Sequence, residues 1–152
     1  MDRTDKRILE LLQQDSELAV SEIGKRVGLS TSPCWRRIQR LEKDGYIKKR
    51  VALLDPNLLN LSLTAFVMVK TSQHNVEWLD IFARAVQELP EIVEVYRMSG
   101  EVDYLLKIVV PDIAAYDVVY KQLIEKIAFM DVSSGFAMEV IKSTTALPLS
   151  YA

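Results

Sequence analysis

The sequence predicts an α+β fold in two parts, a three-helix module followed by a βαββαβ unit. Three observations carry that expectation. Residues 20–44 have the layout of a helix, a tight turn and a second helix. Residues 64–142 alternate strand-like and helix-like runs in the order β-α-β-β-α-β. The charge divides along the same line: residues 1–50 hold 12 Lys+Arg against 8 Asp+Glu, a net of +4, and the rest hold 7 against 13, a net of −6.

The first helix is expected over about residues 2–14, with Ile8, Leu9 and Leu12 inward and Asp2 and Asp5 capping and charge-complementing its start. The second is expected at 20–27, where Ile23 and Val27 form an apolar i, i+4 pair. Gly28 follows it, at the place a left-handed C-cap is wanted. The third helix, 31–44, carries Cys34, Ile38 and Leu41 at i, i+4 and i+7, one apolar stripe. Gly45 ends it. Residues 46–54 read as a strand with a basic centre at Lys48 and Lys49, suited to a small wing or ribbon against a nucleic-acid backbone. Asp55-Pro56-Asn57 breaks that strand. Residues 55–62 form the linker, with Leu58, Leu59 and Leu61 expected to pack against something. The divisions are therefore 1–50, a linking segment 51–62, and 63–152.

In the second part a strand over 64–71 precedes a helix over about 75–89, which Pro90 ends. Strands at 92–98 and 103–110 flank Ser99-Gly100-Glu101-Val102. Pro111 and Asp112 open a helix with Tyr116, Tyr120, Leu123 and Ile127 on one face, and a last strand covers about 132–142. An antiparallel sheet with helices on one face leaves edges and an open face, which a second copy of the chain would cover.

The chemistry concentrates on the third helix. Arg36, Arg40 and Lys43 repeat the spacing of the apolar stripe on the opposite side, flanked by Arg37. A helix docked by one face and presenting guanidinium groups on the other suits a DNA major groove. Ser30, Thr31 and Ser32 stand at its N-terminus, where free amides and the helix dipole favour phosphate, and Pro33 fits the first turn. Any one of those hydroxyls is more simply a cap.

Other classes are disfavoured. No apolar run reaches the ~18 residues of a membrane-spanning helix, and the charged, amphipathic start MDRTDKRILELL does not read as a secretion signal. One cysteine rules out an internal disulfide framework and fits a reducing cytoplasm. That cysteine, Cys34, reads as a small buried side chain, and the single histidine, His74, as solvated in a polar turn. Together they supply no zinc or iron ligand set, and no nucleophile–base constellation or phosphate loop stands out. The expectation is no catalytic residues, no metal and no cofactor. Trp35, flanking the third helix, is expected to pack within its domain.

The chain resembles the Lrp/AsnC, or feast/famine, transcriptional regulators of bacteria and archaea over essentially its whole length. The resemblance rests on Asp2 to Leu9, on Val27-Gly28-Leu29-Ser30 through Cys34-Trp35-Arg36-Arg37, and on Leu41 to Ile47. In the second part it rests on Ser99 to Leu106 and on the tail Ile141 to Leu149. It implies an N-terminal winged helix-turn-helix and a C-terminal ferredoxin-like (RAM) domain joined by a hinge strand. It further implies sequence-specific binding of double-stranded DNA in the cytoplasm at the nucleoid, assembly into homodimers and octamers, and an amino-acid effector held between C-terminal domains. The DNA-contacting residues are then Ser30, Thr31, Ser32, Arg36, Arg37, Arg40, Lys43, Lys48 and Lys49.

By the same similarity the effector loop runs from Met98 through Ser99, Gly100, Glu101 and Asp103 to Tyr104, facing Ser133, Ser134 and Phe136. Amides around Gly100 would take the carboxylate of an amino acid, and Asp103 or Glu101 its ammonium group. An ordinary hairpin connection explains Ser99–Asp103 equally well from the residues alone. Strings such as Glu77-Trp78, Tyr96-Arg97-Met98 and Ser134 to Glu139 are similar to a proteobacterial subgroup, some of whose members respond to cysteine, branched-chain or other apolar amino acids. The competing function is an architectural protein that organises the nucleoid with little sequence choice.

Overall fold

The computed structural model describes all residues, Met1–Ala152. The chain divides into two compact units, one of Met1–Leu53 with Ile141–Ala152 and one of Leu54–Val140.

The first unit contains three helices, α1 (Arg3–Gln14), α2 (Val20–Val27) and α3 (Thr31–Lys43). Helix α1 starts with a capping box: the Asp5 amide donates to Asp2 Oδ1 at 2.8 Å and the Asp2 amide to Asp5 Oδ2 at 3.1 Å, so two otherwise orphaned donors are satisfied. Its Ile8, Leu11 and Leu12 meet Ile23 of α2 and Cys34, Ile38 and Leu41 of α3 in one buried core. Each such aliphatic side chain contributes about 1.5–3 kcal/mol by leaving water.

Residues 46–54 depart from expectation, because no strand forms there. The Tyr46 and Ile47 amides instead donate to the Leu41 carbonyl at 3.0 and 3.3 Å and close the end of α3. Val51, Leu53 and Leu54 are exposed. Their β propensity has no partner strand to express it within this unit. Ile141–Ala152 is the other departure, since it packs with the first unit rather than with the sheet. The Gln13 carboxamide grips its backbone, donating to the Leu147 carbonyl at 3.0 Å and accepting the Leu147 amide at 2.9 Å. Lys6 donates to the Ala152 carbonyl. A hollow of about 480 Å³ remains between α1, residues 46–53 and the tail, lined in part by Leu9, Leu12, Ile47 and Leu147.

The second unit is the βαββαβ sheet: β1 (Leu63–Lys70), α4 (Val76–Gln87), β2 (Ile92–Arg97), β3 (Tyr104–Val110), α5 (Ile113–Lys126) and β4 (Asp131–Phe136). Strand order is β2-β3-β1-β4, all neighbours antiparallel. Alternation places Ala65, Val67 and Val69 of β1 and Tyr104, Leu106, Ile108 and Val110 of β3 under the helices. Trp78 and Phe82 stack at 5.1 Å in that layer, and the indole N–H donates to the Ala128 carbonyl at 3.1 Å.

The opposite face bears Phe66 and Met68 of β1 beside Leu105, Lys107 and Val109 of β3. No helix of this unit covers it, and Phe66 is 38% exposed. Strand β4 ends at Phe136 rather than near 142 because β1 runs out: Phe136 pairs Ala65, and the Ala137 amide reaches Thr64 as the last bond. Leu58 and Leu59 of the linker do not pack as expected and stand exposed on a turn closed by the Leu61 amide on the Pro56 carbonyl.

Candidate nucleic-acid interface and effector loop

The α2–α3 corner is built on glycine. Gly28 has a left-handed backbone, φ +73°, and the Leu29 amide returns to the Gly24 carbonyl at 2.8 Å. Ser30 is the N-cap of α3, yet its side chain makes no capping bond, and Ser30, Thr31 and Ser32 are all exposed. The simpler capping role is therefore absent at Ser30. With Cys34, Ile38 and Leu41 buried, the helix turns Ser32, Arg36, Gln39 and Lys43 outward at spacings of four, three and four. Gln39 was not singled out in the sequence, although the same spacing contains it. Trp35 does not pack as expected: it is 50% exposed on one flank.

The four cations of α3 are not equivalent. Arg37 Nη1 donates to Asp2 Oδ2 at 2.6 Å and to Asp5 Oδ1 at 2.8 Å, and Arg40 Nη2 donates to Asp5 Oδ2 at 2.7 Å. Two of the three arginines expected to contact DNA are thus turned toward the start of α1, because Asp5 is buried and needs two partners to offset its desolvation. Arg36 and Lys43 belong to no ion pair and are exposed, as are Lys48 and Lys49. Arg50 is engaged by Glu42 at 3.0 Å. The Asp5 amide and the Arg37 guanidinium hold the Asp2 carboxyl down at about 2, and the two carboxylates push the Arg37 guanidinium up. Burial pushes the Cys34 thiol up, which keeps it protonated and unreactive.

The β2–β3 connection is stitched to the end of β1. The Met98 amide donates to the Asp103 carbonyl at 2.8 Å and the Asp103 amide to the Val69 carbonyl at 3.0 Å. Asp103 Oδ2 accepts the Thr71 amide at 2.8 Å. Gly100 adopts φ +105°, a conformation that suits glycine. Met98, Ser99, Gly100 and Glu101 are exposed.

Tyr104 is not part of this surface. It is 8% exposed, with its ring 4.7 Å from Phe82 and 5.5 Å from Trp78, because it shares the inward alternation of Leu106. The facing group also divides. Ser133 pairs Met68 on the open face, whereas the Ser134 hydroxyl bonds the Tyr116 hydroxyl and Phe136 packs edge-on to Tyr116 at 5.1 Å on the helix side. No hydrogen bond joins these β4 residues to the loop.

Comparison with known proteins matches both halves of this arrangement. The family model described as the Lrp/AsnC ligand binding domain covers residues 64–147, and one described as a winged helix-turn-helix DNA-binding domain covers 1–48. The chain belongs to the Lrp/AsnC family. It is 47% identical over 150 residues to the DNA-binding transcriptional activator DecR of Escherichia coli, covering 98% of this chain and 99% of that one. The crystal structure of an AsnC family transcriptional regulator from Agrobacterium tumefaciens superposes with a TM-score of 0.96 at 62% identity, covering 99% of each chain. A transcriptional regulator of Neisseria meningitidis, solved in complex with L-Met, gives 0.94 at 37% identity, covering 99% of this chain and 98% of that one.

This Lrp/AsnC chain is accordingly a DNA-binding transcriptional regulator with a ligand-binding domain. Its helix-turn-helix lies in the first unit and the ligand-binding match begins at β1. No helix is long and apolar enough to cross a membrane.

Proposed function

We propose that this regulator reads DNA sequence with the outward face of α3, using Ser32, Arg36, Gln39 and Lys43, while Ser30 and Thr31 at the helix start and Lys48 and Lys49 beyond it contact phosphates. The observation that carries this reading is the geometry of α3, packed by Cys34, Ile38 and Leu41 and open on the other side. Guanidinium and carboxamide groups match base edges in the major groove, and exposed lysines match the backbone.

The effector is an apolar amino acid, bound at the 98–103 loop. Support comes from the match to a ligand-binding domain and from the relative solved with L-Met. Asp103 has one carboxylate oxygen committed to Thr71, and the other is free for an ammonium group. The open sheet face around Phe66, Met68, Leu105 and Val109 is the dimer surface, since a second copy would bury it. Exposed apolar residues on the helices, such as Val76, Ile81, Ile113 and Val118, suit further assembly of dimers into an octamer.

Selection of bound duplexes from a random pool tests the DNA reading. Enrichment of one imperfect palindrome is expected, with half-sites about one helical turn or a multiple apart. Even recovery of unrelated sequences would replace it with the architectural function. In a thermal-shift screen, L-methionine at about 100 times its dissociation constant should stabilise the protein by about 2.7 kcal/mol.

A further inference from the structure

Asp5 is the only buried carboxylate of the chain, 1% exposed, and helix capping does not require that burial. Both of its oxygens accept from arginines of α3. Asp2 takes a second bond from Arg37, and Asp44 lines the same hollow as Asp2, Asp5 and Arg40. Two carboxylates therefore engage two guanidiniums, with Asp44 lining the hollow beside Arg40, and the paired charges on this flank of the reading helix cancel. On the outward face Arg36 and Lys43 have no acidic partner.

DNA phosphates attract cations whatever the base sequence, and each one neutralised adds affinity for all duplexes alike. A helix with four free cations would gain non-specific binding faster than specific binding. We infer that Asp5 is a specificity-determining residue that withholds Arg37 and Arg40 from the DNA backbone and leaves base reading to the outward face. It rests on α3 being the DNA-facing helix. The spacing supports it: Arg37 and Arg40 are one turn apart on α3, as Asp2 and Asp5 are on α1, so the pairs engage together.

The decisive variants are Asp5→Asn and Arg40→Gln, titrated against the selected duplex and an unrelated one across a salt series well below the unfolding temperature. Circular dichroism tests whether each variant is folded. Asp5→Asn should tighten binding to the unrelated duplex severalfold, narrow the preference for the selected one, and steepen the log–log salt slope by about 1–2 as freed guanidiniums find phosphates. A purely structural Asp5 would weaken binding to both duplexes together, and that outcome overturns the inference. Arg40→Gln should change affinity for the selected duplex by less than about twofold with its slope unaltered; a slope shallower by about 0.9 means that Arg40 already holds a phosphate, and the inference fails. Arg40→Gln decides alone if Asp5→Asn does not fold. Arg36→Ala separates the premise: if it leaves the selected duplex equally bound, α3 is not the reading helix.

Discussion

Gly24 lies so close to Leu29 that a Cβ added to it would stand 2.7 Å from the Leu29 carbonyl oxygen. The obstacle is backbone, held in place by the Leu29 amide on the Gly24 carbonyl, so it cannot swing aside as a side chain would. Gly24→Ala would gain about 1 kcal/mol of helix propensity. The clash costs more, by analogy with overpacking at about 1–3 kcal/mol, and the net effect is destabilisation with α3 displaced. Urea denaturation should show a lower midpoint, and affinity for the selected duplex should fall in the fraction that remains folded. A higher midpoint would mean that the corner can relax.

Asp103 offers a way to separate loop structure from effector charge. Asparagine at this position can still accept the Thr71 amide, whereas alanine leaves that amide without its partner. Asp103→Ala should therefore cost about 1–3 kcal/mol of stability. Asp103→Asn should cost less, and both should lose the heat of L-methionine binding in calorimetry while duplex binding persists. Full methionine affinity in Asp103→Asn would move the ammonium partner elsewhere.

Much of this organisation is legible in the residues, and the parts that are not share a physical cause. The stripe of Cys34, Ile38 and Leu41 identifies the packed side of α3 because helix periodicity is local. The β-α-β-β-α-β order follows from similar local patterns. Tyr104 could have been placed in the core, since it alternates with Leu106, Ile108 and Val110. The pairing of Arg37 and Arg40 with Asp5 could not, because it joins positions more than thirty residues apart and a helical wheel shows only that the arginines are outward or flanking. The grip of Gln13 on Leu147 spans 134 positions. Residues 46–54 show the converse: strand propensity is local, but strands need partners.

Gln13 holds the tail by two backbone bonds at one residue, an arrangement that resembles a single rung of a β-ladder. A typical intramolecular hydrogen bond contributes about 0.5–1.5 kcal/mol net, and exposed ones lie toward the low end of that range. Gln13→Ala should thus loosen residues 141–152 without unfolding α1, which Ile8, Leu11 and Leu12 anchor in the core shared with α2 and α3. Limited proteolysis followed by mass spectrometry should find faster cleavage within the tail and unchanged protection of α1–α3. Equal cleavage rates in the two proteins would show that these two bonds are not what holds the tail.

The open face of the sheet predicts an assembly defect. Phe66 stands centrally on β1, beside Lys107 of β3 and Gly135 of β4, with no helix of its own unit above it. Phe66→Asp would place a carboxylate where the proposed dimer excludes water. The folded chain loses little, because that ring is already partly solvated. Analytical ultracentrifugation should show the variant shifted to monomer with an unchanged far-ultraviolet spectrum. A dimer of undiminished stability would place the interface on another surface.

The capping box predicts a pH dependence with a definite sign. Asp2 titrates near 2 rather than at its ordinary 3.8, held down first by the Asp5 amide and then by Arg37. A carboxyl with a depressed folded-state pKa contributes stability that is fully present above 3.8 and disappears as pH falls toward 2. Asp2→Asn separates the two causes, because asparagine caps a helix about as well but offers Arg37 no charge. Its urea midpoint should lie below that of the unaltered protein at pH 5–7, and the gap should close as pH is lowered from about 4 to about 2. Asp2 is exposed, so high salt should narrow the gap at neutral pH by screening the Arg37 pair. A gap constant from pH 7 to pH 2 would assign the effect to cap geometry and leave the ion pair with Arg37 without energetic weight.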